Sequence, residues 1–310
     1  MEGLKIGSKE SSLEKVVLDP LELSLISRGQ GVEVITQRIE AGRMVYLYPS
    51  DNPDAFEFYF ILSGEITFED QGVNCTLGTE DYFSAEGLKE TIFFKVISEV
   101  KLLCIFTEQT FFHISKEINS LYEIAKQVEL KDRYTFKHSD RVANYSMRIA
   151  KKLKLNRSQL DNLNIAASLH DIGKINVPEE ILNKPGRLTD EEFAIIKKHP
   201  GDGAEMIKGT YYEEIHPIIE QHHERLNGTG YPQGLKGDEI SLEARIIAVS
   251  DTFDAMTEDR AYRKAFNAQF ALDELKKLSG THYDPQVVKA FEEVLIEEGL
   301  VGKQDSENTG

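Results

Sequence analysis

Tryptophan is absent from this 310-residue chain, and cysteine occurs only at Cys75 and Cys104. Two thiols cannot build a disulfide framework or a thiolate-rich zinc site, so both read as small buried hydrophobes of a reducing compartment. Long apolar runs are missing as well. No stretch of about 18 apolar residues occurs, which predicts no membrane-spanning helix and no membrane insertion. The opening MEGLKIGSKE lacks the apolar core of a secretory signal. The expected location is therefore cytoplasmic. Positive charge is scarce too: 36 Lys and Arg face 53 Asp and Glu, a formal net charge of −17. Such a surface repels long nucleic acids and anionic membranes. A small anionic substrate needs a strong local positive charge, which bound metal ions would supply.

What is present divides into two halves of different periodicity. The length suits two domains, each able to bury its own core. The first ~108 residues carry β-branched and aromatic segments with partial alternation, among them GVEVITQRIE, FYFILSGEITFED and ETIFFKVIS. Ser63-Gly64, Gly72, Gly78 and Gly87 read as turns between them. Short strands at this spacing predict a small all-β barrel or sandwich. The stretch FYFILSGEITFEDQGVNCTLGTEDYF resembles the double-stranded β-helix of cupins and cyclic-nucleotide-binding domains. Metal-binding cupins carry histidines on their strands, and this half has none before His113. It is expected to bind no metal, and its role reads as sensory, structural or dimerising.

EQTFFHISKEINSLYEIAKQVEL predicts a linker helix, with Phe111, Ile114, Ile118, Leu121, Ala125 and Val128 at alternating spacings of three and four. That stripe suits a helix packed on its own domain or, slightly favoured, a dimer helix, so a homodimer is expected. From Leu130 onward the pattern is helical, punctuated by Lys184-Pro185-Gly186, Pro200-Gly201 and Asn227-Gly228. Thr189 with Glu192 is a capping-box signature.

Histidines and aspartates of this second half recur on apolar stripes. His138 shares a face with Val142, Tyr145 and Ile149; His170 follows Leu163, Ala166 and Ala167; His199 follows Phe193 and Ile196. His222 and His223 follow Ile218 and Ile219, and Asp251 follows Ile247. Each is aimed at the interior. One such residue is ordinarily a satisfied core histidine or a cap. Together with Asp171, which adjoins His170, they form a set too large to bury unpaired, since each orphaned group costs roughly 1–3 kcal/mol. A shared cation satisfies them all. Imidazole and carboxylate without thiolate suit iron, manganese, zinc or nickel, and the number exceeds what one tetrahedral zinc needs. Two metals roughly 3.5–4 Å apart, with Asp171 as bridge, would use them, and such pairs serve phosphoester hydrolysis. Lys174 lies on the Asp171 side and reads as a phosphate contact or proton donor. His113, His216 and His282 are given no chemistry.

These residues lie in YTFKHSDRVA, LHDIGKINVPEEILNKPGRLT, IIKKHPGDGAEMI, HHERLNGTGYPQGLKGDEI and ARIIAVSDTFDAMTEDRAYRK. Over about half the chain, this ordered series closely resembles the HD-GYP family, a branch of the HD phosphohydrolases. The resemblance implies an all-α HD domain hydrolysing cyclic di-GMP or a related cyclic dinucleotide, with two divalent metals, Fe(II) or Mn(II). It implies His138, His170, Asp171, His199, His222, His223 and Asp251 as metal ligands. It makes Lys174 and Asp254 a catalytic couple, with Asp171 beside them, and places Lys174, Tyr231, Arg260 and Arg263 against substrate. Gly230, Tyr231 and Pro232 are the loop that names the family. Members with a third metal take a glutamate where this chain has Tyr134; two metals and arrest at linear pGpG, rather than GMP, are therefore expected.

The expected domains are a β-barrel sensory or regulatory domain at 1–108, the linker helix at 109–130, the phosphodiesterase domain at 131–302 and a flexible tail at 303–310. Expected partners are cyclic di-GMP and a cyclic-dinucleotide synthase or other protein docking at the GYP loop. Alternatives are a non-catalytic cyclic-dinucleotide receptor and a phosphodiesterase for another cyclic dinucleotide.

Overall fold

The structure, a computed structural model, describes residues 6–8, 11–18, 21–50, 52, 54–70, 73–108, 111, 117–132, 137–259 and 264–302. The chain forms two compact units, Met1–Tyr122 and Glu123–Gly310.

The first unit is an antiparallel eight-stranded sheet in the order β1-β2-β3-β8-β5-β6, with β4 on β8 and β7 on β5. Its strands are β1 (Glu14–Leu18), β2 (Leu21–Gly29), β3 (Val32–Ile39), β4 (Met44–Leu47), β5 (Phe56–Asp70), β6 (Val73–Leu77), β7 (Tyr82–Glu86) and β8 (Ile92–Phe106). The two long strands each serve two sets of neighbours. β8 gives one end to β4 and the other to β3, while β5 divides itself between β7 and β6. Gln30 and Gly31, at φ 51° and 79°, close the β2–β3 hairpin. Two positive φ values match the twist of the flanking strands.

The expected turn at Ser63-Gly64 is not a turn. β5 runs unbroken through it, and its register against β8 shifts between Ile61 and Ile66. Gly64 has φ +90°, and a Cβ there would meet the Glu99 carbonyl oxygen at 2.2 Å. The glycine marks a bulge where the neighbouring backbone comes close. Gly78 and Gly87 do lie at chain bends, while Gly72 falls outside the described residues.

Inward-facing aromatics fill this unit. Tyr59 stacks on Phe83 and Phe83 on Phe94, each at 4.7 Å between centroids. The fully buried Glu33 is satisfied by the Arg28 Nε–H at 2.8 Å and the Phe111 backbone N–H at 2.9 Å, as a buried carboxylate requires.

A helix follows at Glu117–Lys131. Of the expected stripe, Phe111, Leu121 and Val128 are buried and Ala125 is half-buried. Ile114 lies outside the described residues, as does His113.

The second unit is helical. Helix His138–Leu153 packs on Arg157–Leu169, Leu242–Thr257 and Pro285–Glu297. Phe253, Tyr145 and Phe291 meet edge to face at 4.8–5.5 Å. Ser146 and Ser250 bond across the helix pair at 3.1 Å, satisfying two buried hydroxyls. Asn156 with Gln159, and Thr189 with Glu192, form capping boxes at the helices Arg157–Leu169 and Asp190–Ile196. Short helices Glu179–Leu182, His199–Ile207 and His216–Gln221 lie between Arg157–Leu169 and Leu242–Thr257 in the chain.

Candidate metal centre

Most of the chemistry-bearing side chains sit at helix ends. His138 is the first residue of its helix, and His199 opens another. His170 and His222 are the C-cap residues of Arg157–Leu169 and His216–Gln221. Asp171 begins the 3-10 turn Ile172–Asn176. Of the candidate ligands only Asp251 lies inside a helix, Leu242–Thr257, which also carries Asp254.

Helix ends are useful here because their last carbonyls have no partner within the helix. The Nδ1 of His170 bonds the Ala167 carbonyl at 2.7 Å, that of His199 bonds Ile196 at 2.8 Å, and that of His222 bonds Ile219 at 2.6 Å. A carbonyl only accepts, so each Nδ1 carries the proton. Each Nε2 is then left as a lone pair facing inward, the tautomer a metal ligand needs. His138 is oriented differently, its Nδ1 meeting Asp254 Oδ2 at 2.6 Å.

Two groups of ligand atoms result: Asp171, His199, His222 and His223 in one, His138, His170 and Asp251 in the other. Asp171 faces both. Its Oδ1 lies 3.2 Å from His199 Nε2, and its Oδ2 lies 3.5 Å from His170 Nε2 and 3.8 Å from His138 Nε2. Asp251 Oδ1 lies 3.2 Å from His138 Nε2.

The arrangement fits divalent cations on its own evidence. His199 Nε2 and His222 Nε2 face each other at 3.3 Å, although both Nδ1 protons are committed elsewhere. Two lone pairs at that distance repel unless a proton or a cation lies between them. Burial, with the neighbouring His170 and His199, holds His222 well below the usual imidazole range, which disfavours the proton there. His170 Nε2 is fully buried without a hydrogen-bond partner, and it too faces a carboxylate oxygen.

Burial and neighbouring charge hold His170, His222, His223, Asp171 and Asp251 in ligating form, whereas His138 is driven toward its protonated form. Burial lowers His170, and burial with adjacent imidazoles holds His223 well below its ordinary value. Burial would raise Asp171 and Asp251, but Lys174 and the imidazoles outweigh it for Asp171, and His138 foremost for Asp251; both end well below the usual carboxylate range. For His138, burial acts downward, and hydrogen bonds to Asp251 and Asp254 outweigh it, pushing it up to about 9.

The expected Lys174–Asp254 couple does not form. Lys174 Nζ bonds Asp171 Oδ2 at 2.7 Å and lies 3.7 Å from Asp132. The 3-10 turn sets residues three apart nearly eclipsed, which aligns Lys174 with Asp171. Asp254 instead takes His138 Nδ1 and the Arg141 guanidinium, at 2.5 Å and 3.0 Å. Arg260 and Arg263, expected against phosphate, lie outside the described residues, as does Tyr134.

Tyr231 is brought to the site. Its ring lies 4.8 Å from that of His223, and its N–H donates to the His223 carbonyl at 3.3 Å. Gly230 serves packing: a Cβ there would meet the Glu224 Cα at 2.4 Å. Pro232 follows, exposed, after a cis peptide bond.

Three further residues shape the site without having stood out in the sequence. Glu224 is buried and accepts the backbone N–H groups of Gln233, Gly234 and Leu235 at 2.7–3.1 Å, pinning the loop after Tyr231. Its signal was an acid directly after the His pair and before a glycine-rich loop. Arg141 holds Asp254, one helical turn after His138. Gly173 lets the turn carrying Asp171 reach the helix of His199, because a Cβ would sit 2.0 Å from the His199 carbonyl oxygen.

A helical unit that gathers five imidazoles and two carboxylates into one buried space is a divalent-metal site in its donor chemistry. A family model described as HD domain matches residues 124–287, and the chain belongs to the HD domain family. A cyclic di-GMP phosphodiesterase of Pseudomonas aeruginosa is 42% identical over 175 residues, 56% of this chain and 42% of that protein. A cyclic di-GMP phosphodiesterase of Thermotoga maritima is 41% identical over 170 residues, 53% and 45% of the two chains. A 3'3'-cGAMP-specific phosphodiesterase of Vibrio cholerae is 38% identical over 178 residues, 56% and 34%. The matched part spans less than half the length of each of these relatives.

Proposed function

We propose that this chain is a metal-dependent phosphodiesterase that opens one phosphodiester bond of a cyclic dinucleotide, cyclic di-GMP first, to the linear pGpG. The observation that carries the reading is Asp171, whose two oxygens face the two separate ligand groups. The relatives' names support the substrate class, and they include both cyclic di-GMP and 3'3'-cGAMP.

In this reading His138, His170, Asp171, His199, His222, His223 and Asp251 hold two ions, Fe(II) or Mn(II). When bound, the ions supply Lewis acidity toward a phosphate oxygen and a water acidified toward neutral pH. Asp254 orients His138 through Nδ1 and is itself held by Arg141. Lys174 is kept cationic, since Asp171 and Asp132 outweigh its burial and raise its pKa. A raised pKa suits holding negative charge at the leaving oxygen better than giving up a proton. Tyr231 lines the substrate side, and Arg260 and Arg263 grip phosphate.

The unit Met1–Tyr122 regulates this activity in our reading, and the chain acts in the cytoplasm as a homodimer, with the loop after Glu224 open to a cyclic-dinucleotide synthase or another protein. Among the described residues, no helix is long and apolar enough to cross a membrane. The test is Asp171→Ala: hydrolysis should vanish and bound metal should fall. Retention of both would remove the centre from the chemistry.

A further inference from the structure

Phe193 belongs to the interior-facing stripe by sequence, yet its side chain is 42% exposed. Single exposed aromatics are ordinary on protein surfaces. This one is distinguished by its company. Its ring meets that of Tyr231 edge to face at 6.3 Å, and Tyr231 in turn lies on His223 at 4.8 Å. Lys197 Nζ stands 4.8 Å from the Phe193 centroid and 5.5 Å from that of Tyr231. A shelf of aromatic rings, the outermost set nearly at right angles to Tyr231, therefore runs outward from a residue of the metal centre, with one ammonium group over the Phe193 and Tyr231 faces.

The shelf is held in place. The helix Asp190–Ile196 starts in the Thr189–Glu192 capping box, and Lys184 clamps Glu192 at 2.6 and 2.8 Å. Among the described residues Lys197 has no carboxylate partner, whereas Lys174, Lys184 and Lys276 each have one. In a chain of net charge −17, an unneutralised cation beside an aromatic face is a place for a flat, anionic ligand.

We propose that Phe193 and Lys197 are substrate-positioning residues: Phe193 offers a stacking face to a purine base of the cyclic dinucleotide, and Lys197 sets a positive charge beside it. The inference rests on the phosphodiesterase reading above. It makes the shelf the feature that tells a dinucleotide from a simple phosphodiester. Bases stack on aromatic side chains whatever their sequence, so the shelf serves substrate class rather than the choice between guanine and adenine.

The experiment compares cyclic di-GMP with methyl p-nitrophenyl phosphate, a diester without bases, in the full chain and in Phe193→Ala, Phe193→Trp and Lys197→Met. For Phe193→Ala, the ratio of kcat/KM on cyclic di-GMP to that on the small diester should fall roughly tenfold, the size expected for one lost base stack. The loss should lie in KM. Phe193→Trp should restore the ratio. Lys197→Met should lower it several-fold, with a smaller effect at high salt. An unchanged ratio in both Phe193→Ala and Lys197→Met, or an equal loss on both diesters, overturns the proposal. Cleavage of neither diester by the unaltered chain would end the phosphodiesterase reading instead. The shelf then stands or falls on calorimetric binding of cyclic di-GMP, where an unchanged Kd in Phe193→Ala overturns it.

Discussion

His170, His199 and His222 each spend the Nδ1 proton on a carbonyl three residues back, and this one habit decides what the site can hold. It commits the Nε2 lone pairs to a common space, where two of them face each other. Asp254 performs the same service for His138 as an anion. Asp254→Asn keeps the shape but weakens that orientation, and it should lower metal affinity by roughly 10–100-fold, read by metal titration. Retained affinity would show that Asp254 acts elsewhere. Titration of the same groups shapes stability in the chelated protein. His170, His222 and His223 have lowered pKa values, so the unfolded chain takes up protons first as pH falls through the ordinary histidine value. Stability is then lost below about pH 6.5. His138 works oppositely: raised to about 9, its contribution is full below about pH 6.5 and lost as pH rises through 9. The melting temperature of chelator-treated protein should therefore pass through a maximum near neutrality. A flat profile between pH 5 and pH 9.5 would contradict this.

At the level of elements, the site is made by ends meeting ends. The turn Ile172–Asn176 must approach the helix His199–Ile207 at Gly173, where a Cβ would strike backbone. Gly173→Ala should separate Asp171 from His199 and cost most of the metal and the activity, checked by metal content after dialysis. The same turn receives the last residue of the helix Glu117–Lys131 and the residue after it: Lys131 Nζ donates to the Ile175 carbonyl at 2.7 Å, and Asp132 lies 3.7 Å from Lys174. A change in that helix thus has a direct path to the turn bearing Asp171 and Lys174. Lys131→Met should alter kcat while leaving metal content intact, and an unchanged kcat would remove the path. The seven donor residues, which gather in the structure, were legible from motif spacing; stripe position did not carry His199, whose stripe partners Phe193 and Ile196 lie in the preceding helix. The caps that orient them were not, because an imidazole at a helix end leaves no periodic trace. Phe193 misled for a related reason: its helix spans only Asp190–Ile196, too short for a stripe to fix which face is buried. Asp254 was legible as a site residue, whereas its partner was not, since a 3-10 turn and an α-helix project side chains differently.

For the whole molecule, the two units differ in the periodicity of their sequences, and that contrast is readable from the chain itself. The β unit was legible as a class. Its strand pairing was less so, because β5 and β8 each change partners midway and Gly64 looks like a turn from sequence alone. Metal binding should stabilise the helical unit, which holds all seven donor residues. At free ion about 1,000 times Kd, binding contributes about 4 kcal/mol, which for a unit of this size raises Tm by roughly 10 °C. Calorimetry with and without Mn(II) should show the transition of the helical unit moving up, and a transition that stays in place would contradict the metal centre.

The most direct test of the central claim is a product assay. The 310-residue chain, purified without oxygen and supplied with ferrous or manganous ion, is incubated with cyclic di-GMP and resolved by chromatography. The expected result is pGpG that accumulates, stops on chelation and resumes on return of the metal. Bound metal and bound cyclic di-GMP with no product would contradict it and leave a receptor in its place.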